Sequence, residues 1–155
     1  MKLAHIGVPV KDLNLSKVFY DAIASIVDLE IMDVHDDFAG YGDGDSYRFY
    51  IHTGKEAISG LHLCFEVDTK EKVDSFYEVA LSSRGSGNGA PGIRQQYNSN
   101  YYAAFVIDPD GNNIETVCYL NKEPVSPEEL TEKVTPQNRH DETDWGPDVG
   151  REIVD

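Results

Sequence analysis

The sequence predicts an α+β protein: two βαβββ units forming one curved, cup-shaped mixed sheet, with the helices outside. Three observations carry this. The chain repeats itself. His5 opens "HIGVPVKDL" and "KVFY" follows; His62 opens "HLCFEVD" and "DSFY" follows, 57 residues later. Each unit then opens on a segment whose apolar residues alternate, the period of a strand. Each continues with apolar residues at helical spacing.

The elements follow in order. In the first strand Ala4, Ile6, Val8 and Val10 form the apolar phase. The first helix is predicted over 12–26, with Asp12 as its cap and a stripe of Leu15, Val18, Phe19, Ala22, Ile23 and Ile26. "LEIMDV", "FAGYG" and "YRFYIHT" complete the unit, with "GDGD" as a turn. After the linker "GKEAISG", the strand "GLHLCFEVD" alternates Leu61, Leu63, Phe65 and Val67 with His62, Cys64 and Glu66. The second helix is predicted over 69–83, capped by Asp68, with Val73, Phe76, Tyr77, Ala80 and Leu81 as its stripe. "GIRQQYN", "YYAAFVI" and "NIETVCYL" finish the unit, with "DPDG" as a hairpin turn. The domain is therefore predicted over 1–120, in units of about 1–56 and 57–120. An acidic, Pro-containing tail occupies 121–155, with a short helix at "SPEELTEKV" and Trp145 as a possible anchor.

Composition bounds the function. The net charge is −15, of which the tail holds −6, ten acidic against four basic residues. Nucleic acid and anionic membranes are recognised through Lys and Arg, so neither is an expected partner. No apolar run reaches membrane-spanning length, and the N-terminus reads as a strand rather than a signal peptide, so a cytoplasmic location is expected. Two cysteines are too few for a disulfide framework. Cys64 and Cys118 fall on opposite strand faces, which predicts two unbridged thiols with Cys64 toward the cup.

The alternation also sorts the side chains that face the cup. Opposite the helix-facing phase stand His5 in the first strand, Arg48, Tyr50 and His52 in "YRFYIHT", His62 in "HLCFE", and Glu115 and Tyr119 in "NIETVCYL". Two imidazoles and a carboxylate pointing inward suit a divalent transition metal with open coordination positions: iron, zinc, manganese, nickel or cobalt. His5, His62 and Glu115 are the candidate ligands, and Glu115 is also the candidate proton shuttle. Arg48, Tyr50 and Tyr102 are candidate substrate contacts, with Tyr97, Tyr101 and Tyr119 as further pocket aromatics. For Arg48 the alternative is a salt bridge to a nearby acid.

"HIGVPVKDLNLSKVFYDAI", "LHLCFEV" and "DPDGNNIETV" resemble the vicinal-oxygen-chelate superfamily of glyoxalases, bleomycin and fosfomycin resistance proteins and extradiol dioxygenases. The resemblance covers residues 1 to 120. It implies a cup of paired βαβββ units with a metal held by the first and last strands, which by position means His5, His62 and Glu115. It implies a lyase, isomerase or dioxygenase acting on a small substrate chelated through adjacent oxygens, with a second copy of the chain as a possible partner. One departure matters. Glyoxalase I enzymes add a carboxylate from the last strand of the first unit, and Tyr50 stands there. A phenol is a poor ligand at neutral pH, so the set looks more like that of the extradiol dioxygenases. His52 could serve as a fourth ligand. The alternative reading is a metal-free cup that sequesters a flat ligand, as bleomycin-resistance proteins do.

Overall fold

In a computed structural model, residues 3–44, 46–54 and 59–120 are described. The tail from 121, with its short helix and Trp145, lies outside them, as do 55–58 of the linker. The element order is β1 (Ile6–Val10), α1 (Leu13–Ala24), a 3-10 turn (Ser25–Val27), β2 (Glu30–His35), β3 (Phe38–Asp43) and β4 (Ser46–Thr53). It then repeats as β5 (His62–Glu66), α2 (Lys70–Ser82), β6 (Ser86–Ile93), β7 (Tyr101–Ile107) and β8 (Asn113–Tyr119). Both predicted βαβββ units are present. Their strands form two four-stranded mixed sheets, ordered β1-β4-β3-β2 and β5-β8-β7-β6, rather than one continuous sheet. In each, the opening strand runs parallel to the last, and the remaining pairs are antiparallel.

The helices form where the stripes and caps require. Asp12 caps α1, its carboxylate accepting from the Leu15 N–H at 3.1 Å. The buried stripe is rotated from the predicted one. Leu13, Ser16, Phe19, Tyr20 and Ile23 are inside, while Leu15 and Val18 are exposed. Polar bonds decide this. Ser16 and Tyr20 donate to Asp110 and Asp108, both at 2.7 Å, so their hydroxyls are buried without loss. Thr69, not Asp68, caps α2; Asp68 instead pairs with Lys72 at 2.8 Å. Phe76, Val73 and Ala80 are sealed in the core beneath α2.

The glycine-rich segment before the predicted "GIRQQYN" strand is itself β6. "SGNGAPGI" reads as a loop because Gly and Pro weaken strands, but β6 lies at a sheet edge, where both are tolerated. Buried side chains from both halves form one core, from Val8 and Phe19 through Phe49 and Ile51 to Phe76, Val106 and Ile114. The hairpin turn "DPDGNN" ties the halves together. Asp108 accepts the N–H groups of Asp110 and Asn112 and the Tyr20 hydroxyl. Asp110 accepts the Lys11 N–H at 2.9 Å, and Asn112 accepts the Leu61 N–H at 3.2 Å. Among the described residues, no helix is long and apolar enough to cross a membrane.

Candidate functional site

Strand register sets the site. Each opening strand pairs in parallel with the last strand of its unit. Cys64 lies opposite Glu115, and Gly7 lies opposite Tyr50. His62 and His5 each stand two residues before those pairs. Tyr50 is thus the counterpart of Glu115, as the sequence alignment of the units expects.

On the second sheet, the face away from α2 carries a polar cluster. Glu115 sits in the middle of β8 with its side chain only 4% exposed. Tyr101, on β7, donates its hydroxyl to Glu115 Oε1 at 2.7 Å. His62 Nε2 lies 2.7 Å from Oε2, and a carboxylate there accepts the ring N–H. Both carboxylate oxygens are therefore held. Burial and the bond to Glu115 push the Tyr101 phenol upward, so it stays a donor. The Cys64 thiol beside them is pushed up to about 12, first by burial and then by the Glu115 charge. It is a protonated neighbour, not a nucleophile, at neutral pH. Cys64 and Cys118 form no disulfide.

Aromatic rings frame the cluster. Phe105 lies opposite Glu115 on β7, and its ring meets the His62 ring edge to face at 6.3 Å. Tyr101 is flanked by Tyr97 at 5.3 Å and Tyr119 at 5.4 Å. The Arg94 guanidinium covers Phe105, 5.1 Å from the ring centroid. Arg94 and Phe105 are absent from the sequence-predicted site. The period-2 rule could have flagged Phe105, two positions from Ala103 on the Glu115 face; nothing in the local pattern marks Arg94.

The first sheet presents a different face. The exposed His5 ring lies 5.7 Å from Tyr50, which also neighbours His52 at 5.7 Å and Phe38 at 5.2 Å. The Tyr50 ring covers Gly7 so closely that a Cβ there would collide with it. Arg48 is an exposed residue of β4. It sits at a bulge of β4 and pairs with Asp43 at 2.5 Å on the surface, the salt-bridge alternative. Tyr102 points the other way from the site. It is buried on the helix side and donates to Asp74 of α2 at 2.6 Å, because its neighbour Tyr101 takes the open face.

The comparisons with known proteins agree with this fold. A family model described as the glyoxalase/bleomycin resistance protein/dioxygenase superfamily matches residues 2–116. The chain belongs to that superfamily. Solved members align along almost their whole length. One is a glyoxalase/bleomycin resistance protein from Albidiferax ferrireducens, 29% identical with a TM-score of 0.66, covering 74% of this chain and 97% of its own. Another is a glyoxalase/bleomycin resistance protein/dioxygenase family enzyme from Burkholderia phytofirmans, 19% identical with a TM-score of 0.61, covering 77% and 100%. A third is a glyoxalase-related enzyme from Fulvimarina pelagi, 16% identical with a TM-score of 0.60, covering 76% and 88%. No curated protein sequence matches the chain.

The superfamily often binds divalent metals, so the donors bear on its chemistry. His62 and Glu115 meet, but His5 does not join them. Among the described residues, no group of three or more His, Cys, Asp or Glu side chains is gathered as a metal requires. A catalytic zinc site takes three protein ligands, so the described donors of one chain do not by themselves fit the ion. His52 is no fourth ligand here: its ring approaches the Thr53 carbonyl at 3.2 Å and stacks near Tyr50.

Proposed function

We propose that the domain of residues 1–120 is a small-molecule enzyme of the lyase or isomerase type, with Glu115 as its acid–base group on the open face of the second sheet. The carrying observation is the sunken Glu115 carboxylate, held by Tyr101 and His62 at 2.7 Å each. A base needs a lone pair aimed outward and a partner that can yield. His62 is that partner, since its side chain is 53% exposed and can swing aside.

The substrate class is a small carbonyl compound with a second oxygen on the adjacent carbon. Glu115 takes a proton from the carbon beside the carbonyl. The electron pair of that C–H bond forms the C=C of an enolate, and the carbonyl π pair moves onto the oxygen, which takes the negative charge. The His62 N–H donates a hydrogen bond to it, and Tyr101 keeps the carboxylate oriented. Positioned proton transfer of this kind contributes about 10²- to 10⁴-fold. A cytoplasmic location suits such a substrate.

A second reading is favoured by the matched places of His5 and His62 on two open faces. In a homodimer, His5 of one copy would meet His62 and Glu115 of the other and complete a divalent-metal site.

One assay tests both. Small 2-hydroxyketones and 2-oxo acids are incubated with the protein in D₂O, and carbon-bound deuterium is followed by NMR. Glu115→Gln is expected to slow uptake at least a hundredfold while the fold persists. Uptake that survives EDTA and His5→Ala supports the metal-free reading; loss in both supports the shared metal site. Undiminished uptake in Glu115→Gln overturns the assignment of the base.

A further inference from the structure

Arg94 is a cation in an acidic protein, and it is placed with care. Its guanidinium lies over the Phe105 ring. Phe105 is the direct neighbour of Glu115 across β7 and β8. One glycine of β6, Gly89, makes the room. Gly89 pairs with Phe105 and Gly92 with Ala103. A Cβ on Gly89 would come within 3.2 Å of the guanidinium and 2.9 Å of the Phe105 ring. The absence of a side chain at Gly89 is what lets Arg94 lie over Phe105.

The guanidinium is fixed, and no described carboxylate pairs with it. Nη2 donates to the Ala90 carbonyl at 2.5 Å and to the Ala103 carbonyl at 3.3 Å. Nε is buried with no hydrogen-bond partner. Among the described residues, Arg94 makes no ion pair, whereas Lys17, Arg48 and Lys72 each have a carboxylate. An oriented guanidinium with no counter-ion among the described residues, stacked on an aromatic ring, is pre-organised for a planar anion. Neighbouring strands lie about 4.8 Å apart. The guanidinium over β7 and the carboxylate on β8 are therefore roughly 5–10 Å apart, the length of a small molecule.

We propose that Arg94 is a substrate-binding residue that takes a carboxylate, so that the ligand lies across Phe105 with its reactive carbon at Glu115. This rests on the Glu115 reading and narrows its substrates to small 2-oxo or 2-hydroxy carboxylates. It also accounts for how so acidic a protein accepts an anion beside a buried carboxylate: the charge is met by a local guanidinium rather than by the surface field.

The test is a titration of the full chain by ¹H–¹⁵N NMR, following the Arg94 Nε–H signal, assigned by its disappearance in Arg94→Lys. The probes are 2-oxobutanoate and its neutral amide. The acid is expected to shift the signal and to bind at least tenfold more tightly than the amide. Arg94→Lys keeps a charge but loses the planar fork, and should reduce that preference severalfold; Arg94→Ala should abolish it. Glu115→Gln should retain the preference even where turnover is lost, which separates failure of the anion anchor from failure of the base. Equal binding of acid and amide, an unmoved Arg94 signal, or an intact preference in a folded Arg94→Ala protein would each overturn the proposal.

Discussion

Tyr50 faces Gly7 on the first sheet, and Glu115 faces Cys64 on the second. The two halves share βαβββ order, strand order and the pairing at these two positions, so the contrast there is chiefly one of side chains. On the first sheet a phenol lies flat over a glycine among His5, His52 and Phe38. On the second, a carboxylate stands in the sheet with a hydroxyl and an imidazole on its two oxygens. A repeated scaffold thus carries an aromatic surface in one copy and a hydrogen-bonded carboxylate, the proposed base, in the other. Fold supplies the position, and the residue placed there supplies the chemistry.

The largest expected effect concerns Cys64, whose counterpart is a glycine. With its pKa near 12, Cys64 should react with iodoacetamide roughly a thousandfold more slowly at pH 8.5 than an ordinary thiol of pKa about 8.5, since only the thiolate attacks. The sign follows from the causes. Burial and the Glu115 charge both disfavour the thiolate, so reactivity should rise about tenfold per pH unit and level off only near pH 12. Glu115→Gln removes one of the two and should make alkylation faster at every pH below that. Mass spectrometry of the modified peptide reads both. Cys64 is solvent-exposed, so access does not limit labelling, and rapid reaction at pH 8.5 would show that its thiol is not raised as described.

Stability should divide unevenly as well. The second half carries the turn that binds the first, through Asp108 and Asp110. Asp108→Asn removes a buried charge-assisted acceptor and turns an amide donor toward groups that themselves donate. The expected loss is about 2–3 kcal/mol in urea unfolding. A loss below about 0.5 kcal/mol would mean that the halves are held by the apolar core alone.

Much of this was legible in the sequence. Period-2 alternation places His62 and Glu115 on one face, because a strand side chain has only two directions to choose from. The 57-residue repeat likewise marks the two units. That His5 does not join that pair is not legible, since it depends on how two separate sheets are disposed, and strand phase is silent on that. Tyr102 was misplaced because consecutive tyrosines take opposite faces and the pattern does not say which. The α1 stripe was misjudged because Ser16 and Tyr20 are buried by partners almost a hundred residues away. Arg94 escaped notice because its long side chain reaches over a strand whose glycines look like loop.

A smaller effect is expected at Gly7. Gly7→Ala places a methyl group where the Tyr50 ring lies. That ring is the far end of a half-buried side chain and can move, so the cost should stay below about 1 kcal/mol. The ring should nevertheless be displaced, visible as shifted Tyr50 and His5 signals in NMR, with turnover changed by less than about threefold. A large loss of turnover would make the first face part of the reacting centre.

The inequivalence of the two faces is tested most directly by removing the matched groups one at a time. Deuterium uptake into a turned-over substrate is measured for Glu115→Gln and Tyr50→Phe side by side. Loss of a general base should lower the rate by about 10² or more, whereas loss of the Tyr50 hydroxyl should leave it within about threefold of wild type. Equal losses in the two variants would contradict this assignment, and so would a Tyr50→Phe protein that is the less active of the two.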